Sequence, residues 1–117
     1  NIVPSRVEAL LTIEPEIEQA LVDGDRRPWL AAVIVPSAEA RAAAASDEAL
    51  KLLIAETVER ANSRLSQIER VRRFIIADEG FTTENSQLTA TLKVRRHVVR
   101  AEYQDRLAAL YTRGKQD

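Results

Sequence analysis

Cysteine is absent from this 117-residue chain, so neither a disulfide framework nor thiolate chemistry is open to it. A single histidine, with no cysteine beside it, argues against a structural zinc site, which draws on several Cys and His ligands. No metal-ligating set is read from the sequence. Long apolar runs are missing too: the alanines at 42–45 are too few and too weakly apolar for a membrane span of about 20 residues. The first twelve residues lack the basic start and sustained apolar stretch of a signal peptide. There is no basic excess either. Seventeen Lys and Arg stand against 18 Asp and Glu, for a formal net charge of −1, so no nucleic acid partner is expected. Methionine is absent even at the first position, which reads as a chain cut from something longer. A cytoplasmic location fits these absences.

What remains is the composition of an ordinary globular domain, 45% hydrophobic and 30% charged, with room for one core. Ser5 and Glu8 match the S-x-x-E capping box, and Val7, Leu10 and Leu11 give the following helix one apolar face until Pro15 ends it. Residues 17–22 have strand character. Asp23 to Pro28 is a turn by composition, since Gly24 tolerates a positive φ and Pro28 resists the ladder. Residues 29–35 form a near-continuous apolar run, which predicts a strand buried on both faces. The two strands read as a hairpin closed by Pro36.

An alanine-rich helical segment follows at 37–45. Ser46 or Asp47 then caps a helix carrying Leu50, Ile54, Val58, Ala61 and Leu65 on one stripe. Residues 72–77 form a third strand with Phe74 and Ile76 on one face, and Asp78-Glu79-Gly80 breaks it. After a polar loop, the spacing predicts one helix over 95–110, with Val99, Tyr103, Leu107 and Leu110 inward. The expected fold class is therefore α+β, a small, mainly antiparallel sheet of about three strands with helices packed against it.

The stretch Gln87-Leu88-Thr89-Ala90-Thr91-Leu92-Lys93-Val94-Arg95-Arg96 places one lysine between the loop and a basic helix. An ammonium there can swing on its stem as a point charge toward phosphate or carboxylate. This stretch resembles the lysine-bearing segment near the C-terminus of AMP-forming acyl-CoA ligases, especially the long-chain fatty acid type. The likeness continues through Asn1-Ile2-Val3-Pro4 with Val7-Glu8, the hairpin Asp23 to Leu30, Val33 to Pro36, Asn62, Leu65, Ile68, Glu69, Arg73-Phe74, and Phe81-Thr82 with Glu84-Asn85. Leu92 departs from many relatives, which carry glycine before this lysine; the long-chain branch has leucine.

The resemblance implies the mobile C-terminal lid of a two-domain, adenylate-forming enzyme, spanning 1–117, with the large N-terminal domain and the hinge outside this chain. It casts Lys93 as the catalytic lysine of fatty acid adenylation. It suggests Arg95 and Arg96 as cofactor-binding residues for CoA or nucleotide phosphates. ATP, CoA and Mg2+ would serve the intact enzyme, and none is expected bound to this chain alone, which should be inactive by itself. Fatty acid, ATP and CoA would be met through the N-terminal domain, with peripheral membrane contact of the intact enzyme an open option. Read without the resemblance, Lys93 is a solvated surface charge and the cluster Arg95, Arg96, His97 and Arg100 a wet helix face, in keeping with a non-catalytic small-molecule-binding or nucleic-acid-binding module. An arginine-rich helix start opposes the helix dipole, which points to a nearby anion or carboxylate partner.

Overall fold

The computed structural model describes residues 2–113. Helix α1 (Pro4–Thr12) starts on proline, whose fixed φ and missing N–H suit the first helical position. The chain then runs through strands β1 (Ile17–Asp23) and β2 (Leu30–Pro36), helices α2 (Ala38–Ala43) and α3 (Asp47–Asn62), a 3-10 turn at Gln67–Glu69, strand β3 (Val71–Ile76), and helices α4 (Arg96–Glu102) and α5 (Gln104–Arg113).

The three strands lie in the order β1-β2-β3. Every residue of β2 is buried, and alternate side chains feed two separate cores. Leu30, Ala32 and Ile34 join Val7, Leu11, Ile54 and Val58 beneath α1 and α3. Ala31, Val33 and Val35 join Val99, Tyr103, Leu107 and Tyr111 beneath α4 and α5. The continuous apolar run thus has the meaning expected of it, because a strand covered by helices on both faces has no solvent side. A register shift between Ile17 and Gln19 bends β1, so Ile17, Ala20 and Val22 all reach the α1–α3 core.

The α+β class and the three strands agree with the sequence reading, and the sheet is mixed. β1 pairs antiparallel with β2, whereas β3 pairs parallel with it. The reason lies in the connection: β2 and β3 are joined through α2 and α3, the long helical crossover that a parallel neighbour requires. β3 is an edge, and buried Asn62 covers its start. The Asn62 amide accepts the Val71 N–H at 2.9 Å and donates to the Val71 carbonyl at 2.9 Å, as a neighbouring strand would.

Three local expectations are corrected. Ser5 lies inside α1, Val3 is the N-cap, and no side chain caps that helix; the Glu8 carboxylate instead accepts the Val22 N–H at 2.7 Å. The S-x-x-E pattern recurs at Ser66–Glu69, and there the carboxylate does turn back, accepting from Ser66 N and Oγ at 3.2 and 2.9 Å. In the β1–β2 turn the left-handed residue is Arg26, at φ 60°, with no glycine at positive φ among the described residues. Gly24 is needed for a different reason: a Cβ there would collide with the Leu30 side chain. Finally, the helix expected over 95–110 is two helices divided at Tyr103, whose φ of −107° and ψ of 15° leave the helical region. The apolar stripe continues across the break with Tyr103 and Leu107 buried, and the Tyr103 hydroxyl accepts the Asp78 N–H at 3.0 Å.

Candidate functional site: the Lys93 hairpin

Between β3 and α4 the chain is ordered by polar side chains. Buried Phe81 is fixed to β1 by Gln19, which accepts its N–H at 2.8 Å and donates to its carbonyl at 3.0 Å. Asn85 accepts from the N–H groups of Thr82 and Gln87 at 3.0 and 3.1 Å and donates to the Gly80 carbonyl at 2.9 Å. Asx side chains serve tight turns because they imitate backbone acceptors. Beyond this turn, Leu88 bridges Val94 in antiparallel fashion.

Lys93 sits on the second arm of that small hairpin. Thr89 holds its backbone twice: the Thr89 N–H donates to the Lys93 carbonyl at 2.8 Å, and the Thr89 hydroxyl accepts the Lys93 N–H at 3.0 Å. The Thr89 and Thr91 hydroxyls are 3.1 Å apart, and the Leu92 N–H closes the tip on the Thr89 carbonyl at 2.8 Å. The Lys93 side chain is exposed and has no hydrogen bond or ion pair among the described residues. A rigid backbone thus carries an unengaged cation. Leu92, just before it, has φ 66° and is 69% exposed. That left-handed conformation costs an L-residue about 1–2 kcal/mol and costs glycine nothing comparable. The glycine noted before the lysine in many relatives has here a conformational reason.

The basic cluster of the sequence is dispersed. Both terminal nitrogens of Arg96 meet Glu8, at 2.6 Å to Oε2 and 2.5 Å to Oε1. This forked pair holds the guanidinium pKa above its usual value, the hydrogen bonds Arg96 donates to Glu8 outweighing partial burial. The carboxylate partner inferred from the helix dipole is therefore Glu8, contributed by α1. Arg100 pairs with Asp23 at 3.2 Å. Arg95 is half-buried and donates to the Ser86 carbonyl at 3.3 Å. His97 is exposed. Arg96 and Arg100 are thus each paired with an acid from another element, Glu8 and Asp23.

Two contributors escaped the sequence reading. The sequence shows Thr89 as part of a motif but not as the residue that fixes Lys93, and its S-x-x-E pattern points Glu8 to a helix cap. The signal for Thr89 was its spacing, four residues before the lysine, which suits a small hairpin tip. Nothing local pointed to Glu8, since its partner lies 88 residues away. A groove of about 990 Å³ runs along β3 between α3 and α5 and includes Arg41, Lys51, Phe74, Ile76 and Arg106. No residue of 81–95 lines it. Among the described residues, no three His, Cys, Asp or Glu side chains come together in a way that could hold a metal, and no helix is long and apolar enough to cross a membrane.

Comparison with known proteins agrees with this architecture. The chain is 34% identical to the long-chain-fatty-acid–CoA ligase FadD15 of Mycobacterium tuberculosis over 97% of its own length and 21% of that protein's. It is 36% identical to the carboxylic acid reductase of Segniliparus rugosus over 92% of its own length and 9% of the reductase. The structure of that reductase's A domain, solved with AMP and a co-purified carboxylic acid, superposes with a TM-score of 0.86 at 35% identity, covering 96% of this chain and 18% of that one. The chain spans about a fifth or less of these relatives. The AMP-binding enzyme C-terminal domain family matches residues 1–115, and the chain belongs to that family, within the adenylate-forming superfamily.

Proposed function

We propose that this chain is the C-terminal lid of an AMP-forming long-chain acyl-CoA ligase and that Lys93 is its adenylation lysine. The observation that carries this reading is the pairing of a doubly anchored Lys93 backbone with an exposed, unengaged ammonium. In the first half-reaction a carboxylate oxygen attacks the α-phosphorus of ATP and pyrophosphate leaves with the P–O bonding electrons. Two anions must meet, and negative charge builds on the phosphoryl oxygens. A cation held in direction but not yet spent on an internal carboxylate suits that task, because preorganised charge needs no rearrangement during the reaction. In the second half-reaction the CoA thiolate attacks the acyl carbonyl and AMP leaves. Rotation of the lid would withdraw Lys93 at that stage, so that one domain serves both steps.

Of the two arginines proposed for phosphate contact, Arg95 is the better placed, since among the described residues its guanidinium donates to the Ser86 carbonyl and pairs with no acid. Arg96 is occupied by Glu8 and acts as a strut. Among the described residues none are grouped to fit a magnesium site; the ion would be held by the large domain. The Lys93 side chain is exposed and lies outside the groove along β3, so the isolated chain is expected to be inactive alone, and ATP–pyrophosphate exchange by the chain by itself would contradict this.

A second reading shares the first half-reaction and differs in the fate of the adenylate. The likeness to carboxylic acid reductase, in sequence and fold, favours an adenylation domain whose product passes onward to a reductase. The test of both is the full-length enzyme carrying Lys93→Ala, with the half-reactions assayed apart. Loss of acyl-adenylate formation, with preformed acyl-adenylate still converted to acyl-CoA, supports the ligase reading. Survival of adenylation rejects the role of Lys93, and failure of the unaltered enzyme to make any CoA thioester rejects the ligase in favour of the reductase.

A further inference from the structure

Leu92 is anomalous in two independent ways. Its backbone is left-handed, at φ 66°, a state shared among the described non-glycine residues only by Arg26 and Ser86. Those two are polar residues in turns, where water solvates the side chain at no cost. Leu92 is a large apolar residue left 69% exposed. The other exposed large hydrophobics, Val3, Ile13, Leu52 and Ile68, do not have a positive φ. At position 92 the left-handed backbone and the exposed apolar side chain are therefore each unfavourable within the domain. Strain of this kind that persists in a fold is a guide to function.

Its place in the hairpin says what that function can be. The Leu92 N–H is bound by the Thr89 carbonyl at 2.8 Å, and the same Thr89 binds the Lys93 N–H and carbonyl at 3.0 and 2.8 Å. Leu92 and Lys93 thus move as one unit with Thr89. Whatever grips the leucine also sets the position of the lysine.

From this we infer that Leu92 is a positioning residue, seated in an apolar wall of the enzyme's large domain during adenylation so that the neighbouring ammonium is held at the carboxylate. The inference rests on the reading of Lys93 above. The occupant follows from what lies outside this chain: it covers 18% of the reductase A domain it superposes on, and the surface that Lys93 must face belongs to the remainder. A bare, exposed leucine beside an exposed cation matches a site that is apolar where the acyl group enters and anionic where the phosphate lies.

The test uses the full-length enzyme with Leu92→Asn, Leu92→Met and Lys93→Ala. Asparagine tolerates the left-handed state but removes the apolar contact; methionine keeps the contact. Leu92→Asn should lower kcat/KM for adenylation about 10- to 100-fold, the worth of one buried leucine. Thioester formation from preformed acyl-adenylate should be unchanged, and so should the melting temperature, or it should rise. Leu92→Met should stay within about threefold of the unaltered enzyme. Equal loss with butyrate and palmitate supports a protein wall; a loss confined to palmitate overturns it, because the leucine would then be touching the acyl chain. Unaltered adenylation in Leu92→Asn overturns the inference while a collapse in Lys93→Ala leaves the functional reading standing. Unaltered adenylation in Lys93→Ala overturns both.

Discussion

The helix-covered sheet and the segment 81–95 are held together by different forces. In the sheet and its helices, Leu11, Ile34, Ile54 and Val33 are fully buried, and stability comes from apolar surface removed from water, a force without direction. In the hairpin, Leu92 and Lys93 are exposed and Leu88, Val94 and Arg95 only half-buried; there the chain is shaped by Gln19, Asn85 and Thr89, each holding two or more backbone groups. Hydrogen bonds do have direction. Burial holds the sheet and its helices together, and the hydrogen bonds fix the direction of the hairpin backbone that carries Lys93. Glu8 belongs to both regions, joining α1 to β1 through Val22 and to α4 through Arg96.

The sharpest separation of the two regions comes from Lys93→Ala. Adenylation should fall about 1,000-fold, near the upper range for loss of one oriented charge-stabilising group, while thermal unfolding is unchanged. Stopped assays of each half-reaction beside a melting curve check both halves. The complementary change is Ile54→Ala, which should cost about 3 kcal/mol by leaving a cavity in the α1–α3 core. Urea unfolding measures that loss, and the folded fraction should adenylate at the normal rate. If activity per folded molecule drops as well, the regions are less independent than their bonding implies.

Glu8→Gln attacks the link itself. It removes the charge of the forked pair and leaves Arg96 half-buried without its partner, costing about 2 kcal/mol. Hydrogen exchange should quicken in α4 and the hairpin beyond the global change, and a uniform loss of protection would deny Glu8 its bridging role. The smallest effect concerns pH. Burial works against the Glu14 carboxylate, yet hydrogen bonds from Arg64 and Arg60 outweigh it and hold its pKa below 4.5. Glu69 is likewise lowered, chiefly by Ser66 and then by Arg6. Groups with lowered folded pKa values contribute fully above the unfolded value and lose that contribution as pH falls through the folded one. The melting temperature should therefore be level from about pH 7 to 5 and decline below about 4.5, with a shallower decline in Glu14→Gln. An unchanged slope in that variant would assign the acid sensitivity elsewhere.

Much of this frame was legible in one dimension. The run at 29–35 had to be doubly covered because it has no polar face, and Val99, Tyr103 and Leu107 recur every four residues, so their shared burial follows from helical geometry. Ser46 caps α3 as its position suggested, accepting the Ala49 N–H at 3.1 Å. The errors arose where a local pattern had more than one use. Ser5–Glu8 and Ser66–Glu69 are the same motif, and only the second turns back on itself, because Glu8 has a stronger claim on it from Arg96. Gly24 tolerates a positive φ, and the fold uses instead the room it leaves for the Leu30 side chain. The direction of β3 depends on the helical crossover through α2 and α3, which makes the sheet mixed.

The sequence by itself determined where helices and strands lie, that β2 is covered on both faces, and that one lysine stands out in a motif of threonines and leucines. These depend on periodicity, turn chemistry and side-chain type over a few residues. Only the tertiary structure decided that β3 runs parallel to β2, that Glu8 claims Arg96 across 88 residues, and that Leu92 is left-handed and exposed. Those are outcomes of long-range packing and of hydrogen bonds competing for the same donors. No window of neighbouring residues contains both competitors.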